Sequence, residues 1–288
     1  MLIRAGYDIT IETKSPTHTL ALLNVHPSRH RDLRTPQRII TYPEVPMYDF
    51  VDGFGNVGTR LTVPEGGIRF TCDFVIEDPG THDLRAPDAE QIAIDHLPDD
   101  ALVYLLGSRY CETDKLADTA WALFAKTRPG WDRVQAIVDY THEHIEFGYH
   151  HARPSKTAWD AHQEQAGVCR DFAHLAVTLC RCMNIPARYC TGYLGDIGVP
   201  AAPDPMDFSA WFDVFLGGRW YTLDARHNKP RIGRILMARG RDATDTALTT
   251  TFGPSLLTNF TVVTEEVDAG DRDDREAEDE RQQLQSAA

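Results

Sequence analysis

The stretch AGVCRDFAHLAVTLCRCMNIPARY, residues 166–189, decides how this chain is read. Phe172, Leu175, Ala176, Leu179, Cys180 and Met183 recur at three- and four-residue spacing, the mark of a helix with one buried face. Asn184 and Pro186 end it, and Gly167-Val168-Cys169 stands at its start. Cys169 is therefore expected in the first helical turn. Unpaired N–H groups and the helix dipole there favour a thiolate and can hold an oxyanion. Taken alone, Cys169 reads as an ordinary small core residue.

Working outward, the chain changes period. Residues 187–193, 210–216 and 219–224 read as strands, and Gly217-Gly218 joins the last two as a two-residue hairpin. That turn sets Trp211 opposite Asp224 and puts position 209 diagonally beside Asp224. Upstream, helical patterning starts near Asp114 with Leu116, Ala120, Leu123 and Phe124. A second helix follows Gly130, with Val134, Ile137, Val138, Thr141 and Ile145 as its inward stripe. Further back, Ile68, Phe70, Cys72, Phe74 and Ile76 alternate with largely polar residues, the pattern of a half-buried strand.

The segments GVCRDFAHLAVTLCRCMNIPARYCTGYLGD (167–196) and FSAWFDVFLGGRWYTLDARHN (208–228) resemble the transglutaminase-like superfamily of papain-type thiol proteins. FVDGFGN (50–56), GSRYC (107–111) and DARHNKPRIGRILMARGRDA (224–243) extend the resemblance over nearly the whole chain. It implies an α+β fold: an N-terminal antiparallel β-sandwich-like domain, then a core in which the cysteine-bearing helix packs on an antiparallel sheet. The expected divisions are 1–85 for the β domain, 86–112 for a connection, 113–264 for the core and 265–288 for a disordered acidic tail. Residues 230–264 give no regular pattern of their own.

By position, the resemblance assigns the nucleophile to Cys169 and the orienting acid to Asp224. Where the family commonly carries histidine-Ala-Trp, this chain reads Ser209-Ala210-Trp211. A serine hydroxyl cannot accept a thiol proton near neutral pH, so the base position is compromised. His227 could take its place only if the strand ends at Asp224 and lets the chain turn back. Gln163, six residues before Cys169, stands where papain-like proteins often place an oxyanion donor, and equally suits a polar residue of the approach loop. His174 lies about 140° round the helix from Cys169, so it reads as a packed residue. The reaction implied is amide hydrolysis or acyl transfer through a Cys169 thioester on a peptide or protein. The alternative is an impaired protein that binds peptides or protein partners in the old cleft.

Composition narrows the rest. A formal charge of −14 over 288 residues argues against nucleic-acid binding, and ten acids against three bases concentrate in residues 265–288. No apolar run spans a bilayer, and MLIRAGYDIT has no apolar leader segment, so a cytoplasmic protein is expected. Six cysteines without a secretory signal are expected as free thiols. No cysteine or histidine spacing spells a metal site, and neither metal nor cofactor is expected. Oligomeric state is not legible.

Overall fold

A computed structural model describes residues 1–201 and 206–267. The chain opens with six strands: β1 (Leu2–Thr13), β2 (Thr17–Ala21), β3 (Ile40–Tyr42), β4 (Tyr48–Val51), β5 (Val57–Val63) and β6 (Ile68–Glu77). A connection with one helical turn, α1 (Asp99–Leu102), leads to α2 (Thr113–Phe124) and α3 (Trp131–His144). Then come the short strand β7 (Glu146–Phe147), α4 (Ala158–Glu164), the short strand β8 (Ala166–Gly167) and α5 (Cys169–Cys182). Six strands follow: β9 (Ala187–Tyr193), β10 (Ser209–Leu216), β11 (Arg219–Leu223), β12 (Ile235–Gly240), β13 (Thr249–Thr251) and β14 (Ser255–Val267).

The core sheet has the order β11-β10-β9-β12, all antiparallel. Its hairpin register pairs Phe212 with Leu223 and Leu216 with Arg219, as a turn at Gly217-Gly218 requires. Both turn glycines have positive φ, 54° and 85°, which side-chain-bearing residues rarely adopt. Phe212, Val214 and Leu216 on one face pack with Leu175, Ala176 and Leu179 of α5 and with the inward stripes of α2 and α3. The helices thus cover one side of this sheet.

The other side meets the N-terminal β unit. Its two sheets, β14-β1-β6-β3 and β13-β2-β5-β4, bury Ile3, Ile9, Val63, Phe70 and Phe74 in one cluster. Tyr193, Phe208, Ile235 and Met237 of the core enter that same cluster. Residues 230–264 correct the expectation of irregularity. They form three strands, and β13 and β14 go back to the N-terminal sheets, where β14 pairs with β1 from Leu2↔Val267 to Thr13↔Ser255. The sequence boundary at residue 264 therefore falls inside a strand. Only long-range pairing makes this strand regular, so no local pattern announces it. Beyond Val267, the acidic tail lies outside the described residues.

Asn56 shows how the two layers are tied. Its fully buried side chain donates to the Arg239 carbonyl at 2.8 Å and accepts from the Arg239 N–H at 2.9 Å, standing in for a strand beside β12. Asp52 holds the amide through a further bond of 2.8 Å. Asn56→Ala leaves a backbone donor and acceptor unmade in the interior. Urea unfolding of that variant should show a loss of about 1–3 kcal/mol.

Candidate active site

The approach to Cys169 is fixed on every side. Thr157 caps α4 by accepting from the Asp160 N–H at 3.2 Å, and Gln165 stops that helix in a left-handed conformation, φ 54°. β7 and β8 then pair in parallel, Phe147 beside Gly167. Buried Lys156 donates to the Ala166 carbonyl and pairs with Glu164, both at 2.9 Å. Asp171, fully buried, accepts from the Val168 N–H at 3.0 Å and so closes the first turn of α5. Gly167 is required here, because a Cβ would stand 2.7 Å from the Asp171 side chain. These contacts leave Cys169 at the head of α5 with part of its surface accessible.

The thiol faces the core sheet. It packs against Ala173, Tyr189 and Ala210. Burial among these groups pushes it up to about 11. Arg226 and the Ala210 N–H pull the other way, while Asp207 and Asp224 reinforce the rise. This corrects the expectation of a helix-stabilised thiolate. A helix terminus is worth about 0.3–1 kcal/mol, under one pKa unit, whereas burial moves a group by up to several units. Burial therefore outweighs the helix terminus and favours the protonated sulfur.

Asp224 ends the hairpin just past β11, where the chain leaves the ladder. Its side chain is 1% exposed, and its Oδ2 accepts from His227 Nδ1 at 2.9 Å and from Arg234 at 3.0 Å. The His227 N–H donates to Oδ1 at 3.0 Å. Burial by itself would raise the carboxyl, but the Arg234 charge and the His227 bonds override it and hold Asp224 well below the usual carboxylate range. Arg234 is buried too, with its guanidinium 5.0 Å from the centre of the Trp211 ring and its Nε bound to Asp83 of the connection. The local turn that lets His227 reach Asp224 uses a left-handed Asn228 (φ 47°), whose amide bonds Asp139 of α3. Asp83, Arg85, Trp131, Gln135 and Lys229 line a cleft that opens beside Asp224.

Ser209 begins β10 and is 6% exposed. Its carbonyl accepts from Thr191 Oγ1 at 3.1 Å, while its own hydroxyl is buried with no hydrogen-bond partner among the described residues. Gln163 sits exposed on the last turn of α4. His174 is packed as its helical position predicts: it stacks on Tyr110 at 5.0 Å, and its Nε2 accepts from the Ala243 N–H at 3.1 Å. Asp213 forms a buried pair with Arg188 at 2.8 Å rather than facing the site. Among the described residues no group of three His, Cys, Asp or Glu side chains could hold a metal ion, and no helix is long and apolar enough to cross a membrane.

Sequence reasoning missed Arg226 and Arg234. Arg226 lies just past the hairpin and Arg234 well beyond it, but nothing in their spacing says that Arg234 pairs with the acid or that the Arg226 charge acts on the thiol.

The sequence profile of the transglutaminase-like superfamily matches residues 118–225, from inside α2 to the residue after Asp224. The crystal structure of a candidate cysteine protease from Cytophaga hutchinsonii superposes with a TM-score of 0.79 at 30% identity, covering 93% of this chain and 91% of that one. An uncharacterised protein of Mycobacterium leprae (strain TN) is 26% identical over 220 residues, 73% of this chain and 77% of that protein.

Proposed function

This chain belongs to the transglutaminase-like superfamily, and from that premise we propose that it cleaves or transfers acyl groups of peptide or protein amides through a Cys169 thioester. The observation that carries the reading is the bond from His227 Nδ1 to Asp224, an oriented acid–imidazole pair just past the hairpin of the sheet on which Cys169 packs. A neutral thiol must lose its proton as it attacks, which demands a base. Ser209 cannot supply one; His227, held by Asp224, can accept the proton and return it to the departing amine. The unpaired first-turn N–H groups of α5 serve the developing oxyanion in this reading. Gln163 is a secondary donor in this reading.

Trapping the intermediate tests this. After brief incubation with p-nitrophenyl acetate and acid quenching, mass spectrometry should find the acetyl group on Cys169 and on no other cysteine. Nitrophenolate release should vanish in Cys169→Ala. A folded protein that neither acetylates at Cys169 nor releases nitrophenolate sinks the enzymatic reading. The unpartnered Ser209 hydroxyl favours a second one, in which an impaired site binds peptides or protein partners without turnover. We read the protein as bacterial and cytoplasmic, on the support of six free cysteines, which suit a reducing compartment.

A further inference from the structure

Arg226 stands between the two residues of the acid–imidazole pair in sequence, and its guanidinium carbon lies 3.7 Å from the centre of the Phe147 ring. Phe147 pairs with Gly167, two residues before Cys169, and its ring lies 6.4 Å from that of Phe172 in the first turn of α5. Arg226 is thereby placed beside the head of the cysteine helix. It is half-buried and forms no ion pair or hydrogen bond among the described residues. Most arginines around it are engaged: Arg234 holds Asp224 and Asp83, Arg188 holds Asp213, and Arg170 bonds the Arg153 carbonyl and Asp171.

A half-buried guanidinium with an aromatic floor and no anion has given up hydration without recovering it from a partner. Its planar fork is built for a carboxylate. The acid in its field among the described residues is Asp207. Asp224 is already bound by Arg234 and His227, and Asp207 reaches Arg226 only through space. On a chain of net charge −14, a cation with no ion pair among the described residues, set beside the head of the cysteine helix, attracts anions to that point.

We propose that Arg226 selects acyl substrates that carry a carboxylate next to the bond under attack. This rests on Cys169 as the nucleophile. The carboxylate belongs to an acidic side chain or to a chain end, and both present the same chemistry to the guanidinium.

Alkylation of Cys169 by iodoacetate and by iodoacetamide separates charge recognition from turnover. In each case the sulfur–carbon bond forms and iodide leaves, but only iodoacetate brings a carboxylate. Relative to free glutathione, the iodoacetate-to-iodoacetamide rate ratio at Cys169 should be about tenfold higher, and it should fall as salt is added. Arg226→Gln should return the ratio to that of glutathione while the iodoacetamide rate shows that the site is intact. Arg226→Lys should keep much of it. An equal ratio in wild type and Arg226→Gln overturns the proposal. If Arg226→Gln does not fold, a salt-independent ratio in the wild type does so instead. If Cys169 reacts with neither reagent, the nucleophile reading fails and carries this one with it. Protection by N-acetylaspartate α-amide points to a side-chain carboxylate, and protection by N-acetylalanine to a chain end. Protection by neither overturns the proposal.

Discussion

Arg234→Ala will destabilise the protein by about 3–5 kcal/mol at pH 7, the cost of stranding buried charge. In the wild type one guanidinium neutralises two carboxylates, Asp224 at 1% side-chain exposure and Asp83 at 14%. Removing it leaves both acids in the interior without the guanidinium they share. Against a total stability of about 5–15 kcal/mol, this is a large share. The pH dependence gives the mechanism its signature. Wild-type Asp224 is held below its ordinary range, so its contribution is fully present above about pH 4 and is lost only as pH falls through the lower folded value. In Arg234→Ala the stranded carboxyls shift upward instead, and protonation relieves them. The gap between variant and wild type should be widest near neutrality and should narrow toward pH 4, measured by urea unfolding across that range. A deficit below about 1 kcal/mol at pH 7 would mean that the pair behaves like an exposed one.

His227→Ala will slow acyl transfer by about 10²–10⁴, the range for a positioned proton-transfer group. Asp224 keeps its bonds to Arg234 and to the backbone N–H of residue 227 in this variant, so the fold should hold while the rate collapses. Ser209→Ala is the matched control. The hydroxyl it removes is buried and unpartnered among the described residues, so stability should hold or rise slightly and the rate should stay within a few-fold. Nitrophenyl ester turnover by both variants decides the matter. If Ser209→Ala collapses the rate and His227→Ala spares it, the proton is handled through position 209 after all.

Local signals carried much of the architecture. The apolar spacing of 172–183 fixed a helix that opens at Cys169, and the structure begins α5 at that residue. Gly217-Gly218 fixed the hairpin, and the register follows from the turn alone. Alternation in 68–76 marked β6, where Ile68, Phe70, Cys72, Phe74 and Ile76 are all buried. Each of these depends on contacts between residues a few positions apart, so the pattern is complete within the segment that shows it.

The chemistry of the site was less legible. A neutral rather than ionised Cys169 is a consequence of burial against Ala173, Tyr189 and Ala210, which come from a helix and two strands. The return of β14 to β1 joins residues about 250 positions apart, and β14 alone shows mixed exposure without a clean alternation. Serine at position 209 has no explanation in the structure. By itself, then, the amino-acid order determined the helix that presents the cysteine and the hairpin that presents the acid, because helices and two-residue turns are settled by neighbours along the chain. Tertiary structure alone decided which imidazole meets Asp224, which arginine neutralises it and which has no ion pair among the described residues. Those choices depend on desolvation and charge among side chains that only folding brings within reach of one another.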